Sequence, residues 1–332
     1  MATYSDNDHF IVPDENPHSD DDPAFLSETD AASSTQSLTS SVQNYQYENG
    51  RRYHAFRQGE YAYPNDEKEQ ERLDLLHHIN LLVLDGELFR APVDMDGARV
   101  LDLGTGTGIW ATEVADEYPS AEILGTDLSP IQTNWVPPNC RFEVDDFESE
   151  WQYRKPFDFI HCRNLGGSVR DFPLLLTRIK DNLNNGGWVE ITDFVAQAFS
   201  DDGGLERAPN IVEWCRLLDE ASIKFGKQLN VAPSYKRWVI EAGFKDVKEE
   251  VYKIPFNPWP KDPKMKEIGR YELPNMVESL ESYTMALFTR ILGWTPEEIY
   301  VFLSKIRKEL EDRSIHLYTK FIYVYGQKDE GE

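Results

Sequence analysis

Positive charge is scarce in this 332-residue chain: 34 Lys and Arg stand against 59 Asp and Glu, a formal net charge of −25. A surface of that sign repels phosphate, which argues against direct contact with nucleic acid. Cysteine is nearly absent, with only Cys140, Cys162 and Cys215. An odd, sparse set within predicted core elements offers no disulfide frame and fits a reducing compartment. No C-x-x-C or H-E-x-x-H spacing occurs, and His77 and His78 are adjacent rather than on one helix face, so no metal site is expected. No apolar run approaches a membrane span; Leu81 to Leu84 is a short core patch, and no membrane insertion is expected. The basic start and apolar stretch of a secretory signal are missing, as is a lysine-rich nuclear import cluster.

What the chain does contain is the stretch Val100-Leu-Asp-Leu-Gly-Thr-Gly-Thr-Gly-Ile-Trp110. Its apolar start reads as a buried parallel strand, and the glycines turn into a helix carrying Trp110 and Val114. Gly104, Gly106 and Gly108 allow close backbone approach to a ligand, next to free N–H groups and the positive helix end. A dinucleotide fingerprint would space its glycines G-x-G-x-x-G. Here the third falls one position early, and Asp102 stands where it would repel a diphosphate but welcome a cationic amino-acid end group. D-x-G-x-G-x-G resembles the first motif of class I S-adenosylmethionine methyltransferases.

Further strands follow in order. Ala121 to Asp127 ends in an acid whose two oxygens suit both hydroxyls of a ribose. Cys140 to Asp146 ends in acids where that class places a carboxylate for the adenine amino group. Asp146 is the choice for it, with Asp145 as the near alternative and Phe147 beside the base. Thr105 and Leu128 complete the expected cofactor contacts. Phe157 to His161 reads as the fourth strand, Leu174 to Leu183 as a helix stopped by Gly186-Gly187, and Trp188 to Asp193 as the fifth strand. Such alternation predicts a doubly covered parallel sheet with ligands at the carboxyl ends of its strands.

Residues 1–44 are rich in Asp, Ser and Thr, hold no Lys or Arg, and read as a disordered acidic tail; Ser33-Ser34-Thr35 and Ser40-Ser41 are available to phosphorylation. Residues 45–92 read as an aromatic lid and a first helix. Asp66 is its expected N-cap, Glu69 the capping-box partner, and Leu73, Leu76, Ile79, Leu82 and Val83 form one stripe reaching about Leu88. Tyr61 and Tyr63 suit either a lid over the cofactor or packing; Phe56 suits packing. Residues 93–332 form the main domain, with helices at Ile211 to Phe225 and Tyr235 to Ala242 and a sixth strand over Phe244 to Ile254. Four prolines make 255–263 irregular. A helical insertion of about 256–316 should break at Pro274 and Gly293 and restart at Thr295-Pro296-Glu297, before a last strand at Leu317 to Gly326.

Gly50-Arg-Arg-Tyr-His54, Tyr63-Pro-Asn-Asp66, LDLGTGTGIW, FDFIHCRNLGGSVRDF (Phe157 to Phe172), NNGGWVEITDF and LGWTPEEIY resemble the fungal LaeA-like methyltransferases from about residue 48 onward. The resemblance implies a class I Rossmann-like seven-stranded sheet with a helical cap and insertion, and S-adenosylmethionine as cofactor. It also implies a nuclear and cytoplasmic regulator of secondary metabolism and development. Such regulators work with velvet-type or other methyltransferase-like subunits, and the acceptor here is a protein or small metabolite. The alternative is a regulatory interaction subunit that binds cofactor with little turnover. His161, at the end of the fourth strand, is the candidate base, or else hydrogen-bonds local backbone. Arg163 suits an acceptor carboxylate, or a salt bridge to Asp171. No N-P-P-[YF] follows that strand, which disfavours the base-amine and glutamine methyltransferases.

Overall fold

A computed structural model describes residues 10–14, 45–54, 59, 61–133 and 135–331. Most of the acidic tail, its phosphorylatable hydroxyls and Phe56 lie outside the described residues. Strands β1 (Gln46–Glu48) and β2 (Arg51–Tyr53) form an antiparallel hairpin. Asn49 and Gly50 both have positive φ, as the tight primed hairpin turn requires. Helix α1 (Glu67–Val83) follows, then β3 (Arg99–Leu103), α2 (Ile109–Glu117), β4 (Glu122–Asp127), β5 (Cys140–Val144), β6 (Phe157–Arg163), α3 (Phe172–Asp181) and β7 (Leu183–Phe194). The remainder is α4 (Pro209–Phe225), α5 (Tyr235–Glu241), β8 (Lys245–Pro255), α6 (Pro263–Leu287), α7 (Pro296–Glu311) and β9 (Tyr318–Gln327).

Seven strands join in the order β5-β4-β3-β6-β7-β9-β8. Strands β3 to β7 run parallel, and β9 is antiparallel to both neighbours. The chain moves outward from β3 to β5, then returns to place β6 beside β3. That reversal opens a crevice at the carboxyl ends of β3 and β6, where open α/β sheets bind ligands. The sheet is covered by one apolar cluster around Leu101, Ile160 and Val189 and another around Val100, Trp110 and Phe159. A third lies beyond the strand ends, between α4, α6 and α7. Both outer strands are rich in charge: Arg141 and Glu143 on β5, Lys245, Lys248, Glu249, Glu250 and Lys253 on β8.

Local details depart from the sequence expectations. Residues 10–14, inside the stretch read as disordered, are pinned to the body. Ile11 is buried against Trp259 and Tyr318, and Pro13 bridges Pro260. Backbone bonds join Asp14 N to the Trp259 carbonyl and Lys261 N to that of Val12. Of the apolar Phe-Ile-Val triplet, Ile11 alone is buried, in a cleft that bulk composition does not reveal. Helix α1 ends at Val83, where Asp85 and Gly86 take positive φ. Asn182 rather than the glycine pair closes α3, and Gly186 and Gly187 lie inside β7. Pro274 does not interrupt α6, which continues for 25 residues through it. The lost hydrogen bond and ring clash cost about 3 kcal/mol, which long flanks buried against the rest of the cap offset. Pro255 closes β8 on a sheet edge, and Pro263 opens α6 behind the Asp262 cap.

Candidate active site

The crevice at the sheet's switch point is a cleft floored by the β3–α2 loop and walled by the ends of β4, β5 and β6. Asp102 is the next-to-last residue of β3 and is 3 % exposed. It accepts from Thr105 Oγ1 at 2.6 Å and pairs with His161 Nδ1 at 2.7 Å. Asp127 closes β4; its Oδ2 accepts from Gly106 N and its Oδ1 from Ser129 N, each at 2.9 Å. A carboxylate has about four acceptor sites, so each oxygen keeps capacity for a ligand hydroxyl. Burial pushes this carboxyl up to about 6. Asp146 follows β5 and accepts from Glu148 N and Ser149 Oγ at 2.9 and 2.8 Å. Leu128 and Phe147 supply flat apolar walls.

Gly104 takes φ +68°, and a Cβ there would stand 2.7 Å from Leu165 Cδ2, so the loop backbone itself faces the cleft. Acids at three neighbouring strand tips, apolar walls and exposed loop backbone match the parts of a sulfonium nucleoside. Carboxylates suit its ammonium, ribose hydroxyls and adenine amine; the apolar walls suit its base.

Several expected site residues do something else. Gly108 does not line the cleft. At φ +80° it precedes α2, and a Cβ would meet the Phe142 ring at 2.5 Å; Gly125 meets the same ring at 2.7 Å. Two missing side chains therefore make the slot for one phenyl ring. Asp145 also turns from the cleft, accepting from Asp146 N at 2.8 Å and Tyr153. Tyr61 lines the cleft, whereas Tyr63 is buried edge-on to Tyr283 at 4.9 Å as part of the cap core. Arg163 lines the cleft, but it contacts His77 Nδ1 at 3.0 Å instead of Asp171, which caps α3. Burial lowers both the His77 imidazole, to about 2, and the Arg163 guanidinium. His161 is bonded to Asp102 rather than to backbone and stacks on Trp110.

Sequence reasoning missed a supporting layer. Gln132 Nε2 ties the Gly106 carbonyl to the loop after β4 at 2.7 Å, and Asn65 Nδ2 reaches Ser129 Oγ at 3.1 Å. Glu69 is no capping-box residue. Asp66 does cap α1, but the Glu69 side chain is buried in bonds to Arg72 and to Ser282 of α6. Arg51 joins Asp66 at 2.6 Å and contacts Ser282 as well, fastening the hairpin to both helices. Lys227 at the cleft rim is paired with Glu148 at 2.6 Å.

The Methyltransferase domain family matches residues 75–249. The chain is 45 % identical over 300 residues to Methyltransferase pytC of Aspergillus terreus, covering 90 % of this chain and 93 % of that one. It is 37 % identical over 300 residues to the secondary metabolism regulator laeA of Aspergillus flavus, with 89 % and 80 % covered. The chain belongs to the LaeA-like methyltransferases. Among solved structures, it is similar to the YcgJ protein of Bacillus subtilis, with 19 % identity, a TM-score of 0.44, and coverage of 77 % of this chain and all of that one. As a LaeA-like methyltransferase it is an S-adenosylmethionine-dependent enzyme with a seven-stranded class I sheet. Among the described residues of this methyltransferase, no helix is long and apolar enough to cross a membrane.

Proposed function

We propose that this LaeA-like enzyme holds S-adenosylmethionine in the switch-point cleft and regulates fungal secondary metabolism and development by methyl transfer. The observation that carries the reading is the convergence of Asp102, Asp127 and Asp146 on one cleft with the glycine loop. Asp102 receives the methionine ammonium, Asp127 the ribose hydroxyls and Asp146 the adenine amine; Gly104, Thr105 and Gly106 offer backbone, Leu128 and Phe147 the base walls. When bound, the cofactor supplies a methyl group activated by its sulfonium. The protein's work is alignment and exclusion of water.

His161 acts as a positioning residue: its Nδ1–H fixes Asp102, and burial holds the ring neutral. The regulatory role rests on the relatives named as secondary metabolism regulators. Action in the nucleus and cytoplasm, within a complex with a velvet-type or methyltransferase-like protein, belongs to the same reading. Tyr300 and Val301, exposed together on α7, suit such a contact.

Calorimetric titration with S-adenosylhomocysteine tests the cofactor site. One-to-one binding that Asp127→Ala abolishes supports it, and heat of dilution alone from the wild type sinks it. Transfer of a radiolabelled methyl from S-adenosylmethionine into an extract of the source organism, with and without co-purifying partners, tests turnover.

A further inference from the structure

Among the described residues, Lys227 and Arg163 are the Lys and Arg side chains that line the cofactor cleft. Lys227 is paired with Glu148, whereas Arg163 forms no ion pair with any described residue. Arg163 ends β6, two residues after His161 and therefore on the same side of that strand. Its guanidinium makes one hydrogen bond among the described residues, from Nη2 to His77 Nδ1 at 3.0 Å, and its other N–H donors stay unanswered.

The acids around it are engaged elsewhere. Glu113 is bonded to His77, and Glu190 accepts the backbone N–H groups of Arg90 and Ala91. Asp102 is taken up by Thr105 and His161. A guanidinium held out of bulk water without a counter-ion is costly, and an arriving anion removes that cost.

His77 on α1 fixes where the guanidinium sits. Its Nε2–H donates to Glu113 Oε2 on α2 at 2.9 Å, which leaves the Nδ1 lone pair for Arg163. Burial, and then the neighbouring Arg163 charge, push the ring down to about 2, so it stays neutral and does not repel the guanidinium.

One charged part of the cofactor has no receptor among Asp102, Asp127 and Asp146: the methionine carboxylate. It shares a carbon with the ammonium that Asp102 receives, so its receptor must stand near Asp102 without pairing to it. Arg163 meets both conditions. Asp102 is the strongest charge acting on the guanidinium, yet the two form no ion pair. An ammonium and a carboxylate on one carbon fit between them, each facing its opposite.

We propose that Arg163 is the receptor for the methionine carboxylate, held in place by His77 and Glu113, and that it makes the enzyme select the intact cofactor over its decarboxylated form. The assignment rests on the cleft holding S-adenosylmethionine. An acceptor carboxylate at Arg163 would leave the cofactor's own carboxylate facing three acids with no counter-charge.

The test titrates the 332-residue chain calorimetrically with S-adenosylhomocysteine and with S-adenosyl-3-thiopropylamine, the same molecule without its carboxylate. Wild type should bind the first at least about tenfold tighter than the second. Arg163→Met keeps the apolar stem and should erase that preference, while the amine binds no more weakly than to wild type. His77→Phe should reduce the preference, and His77→Gln, which keeps an acceptor and a donor, should restore most of it. A merely structural role would weaken both ligands together and leave their ratio unmoved. The proposal is overturned by equal wild-type affinities, by a preference that survives Arg163→Met, or by equal weakening of both ligands in that variant. An unchanged preference in His77→Phe overturns the part given to His77 and Glu113. A wild type that binds neither ligand sinks the cofactor reading first, so the two failures are told apart.

Discussion

The His161 imidazole lies 3.7 Å from the Trp110 ring with the planes 8° from parallel. That stack aims Nδ1 at Asp102, and Trp110 is itself held by donating Nε1–H to the Leu88 carbonyl at 2.7 Å. His161→Phe keeps a flat ring in the stack but removes the donor. Asp102, almost fully buried, would be left with Thr105 as its side-chain donor. Stability should fall by about 2 kcal/mol in urea unfolding, and S-adenosylhomocysteine should bind about tenfold more weakly. Wild-type values for both would refute the positioning role.

Asp127→Asn should weaken both the fold and cofactor binding, because each carboxylate oxygen already accepts a backbone N–H. The carboxyl is raised by burial to about 6, so its ionised form is held against a desolvation penalty at neutral pH. The amide removes that penalty but sets its NH2 against the Gly106 or the Ser129 N–H, so the cofactor-free variant should melt below wild type at pH 8. It loses one acceptor oxygen toward the ribose, so affinity should drop at least about tenfold. In the wild type, affinity should weaken as pH falls through about 6 and the carboxylate is protonated.

Stability itself should decline as pH rises from the acid range to about 8. Burial raises Asp127 to about 6, Glu190 and Asp193 to about 7, and Glu272 to about 8. All four ionise earlier in the unfolded chain, so the stability they contribute at low pH is lost as pH rises through those folded values. Melting temperature in the absence of cofactor should therefore fall from about pH 4.5, where the unfolded carboxyls ionise, to about pH 8, and level off above it. Glu272→Gln should flatten the upper part of that fall, and an identical slope in the variant would contradict the assignment.

Gly108→Ala should act through packing, not through cofactor contact. The new methyl collides with Phe142 in a backbone conformation at φ +80° that alanine resists. A loss of about 2–4 kcal/mol is expected. Gly108→Ala combined with Phe142→Leu should recover part of it, which a double-mutant cycle would read. Strict additivity would show that the ring is not the obstacle.

The sheet was legible because each parallel strand is a short apolar run ending in an acid or a turn. Residues such as Asp102, Asp127 and Asp146 mark their own places at the strand tips. What stayed hidden depends on distant segments meeting. Glu69 sits at a capping-box position, but Ser282, more than 200 residues away, competes for its carboxylate. Gly108 belongs to a ligand-binding pattern, yet its lack of a side chain serves Phe142. Tyr61 and Tyr63 are two residues apart in an aromatic stretch, and only the cap decides which of them reaches the cleft. The chain of Glu113, His77 and Arg163 joins α2, α1 and β6, so no local pattern announces it.

The charge on the two outermost strands bears on how this enzyme meets other chains. Bare N–H and C=O groups on β5 and β8 would otherwise invite a foreign strand to pair, and ionic side chains there make such lengthening of the sheet unfavourable. Assembly is thereby steered to side-chain surfaces of the helices, where recognition depends on shape and sequence and not on generic backbone pairing.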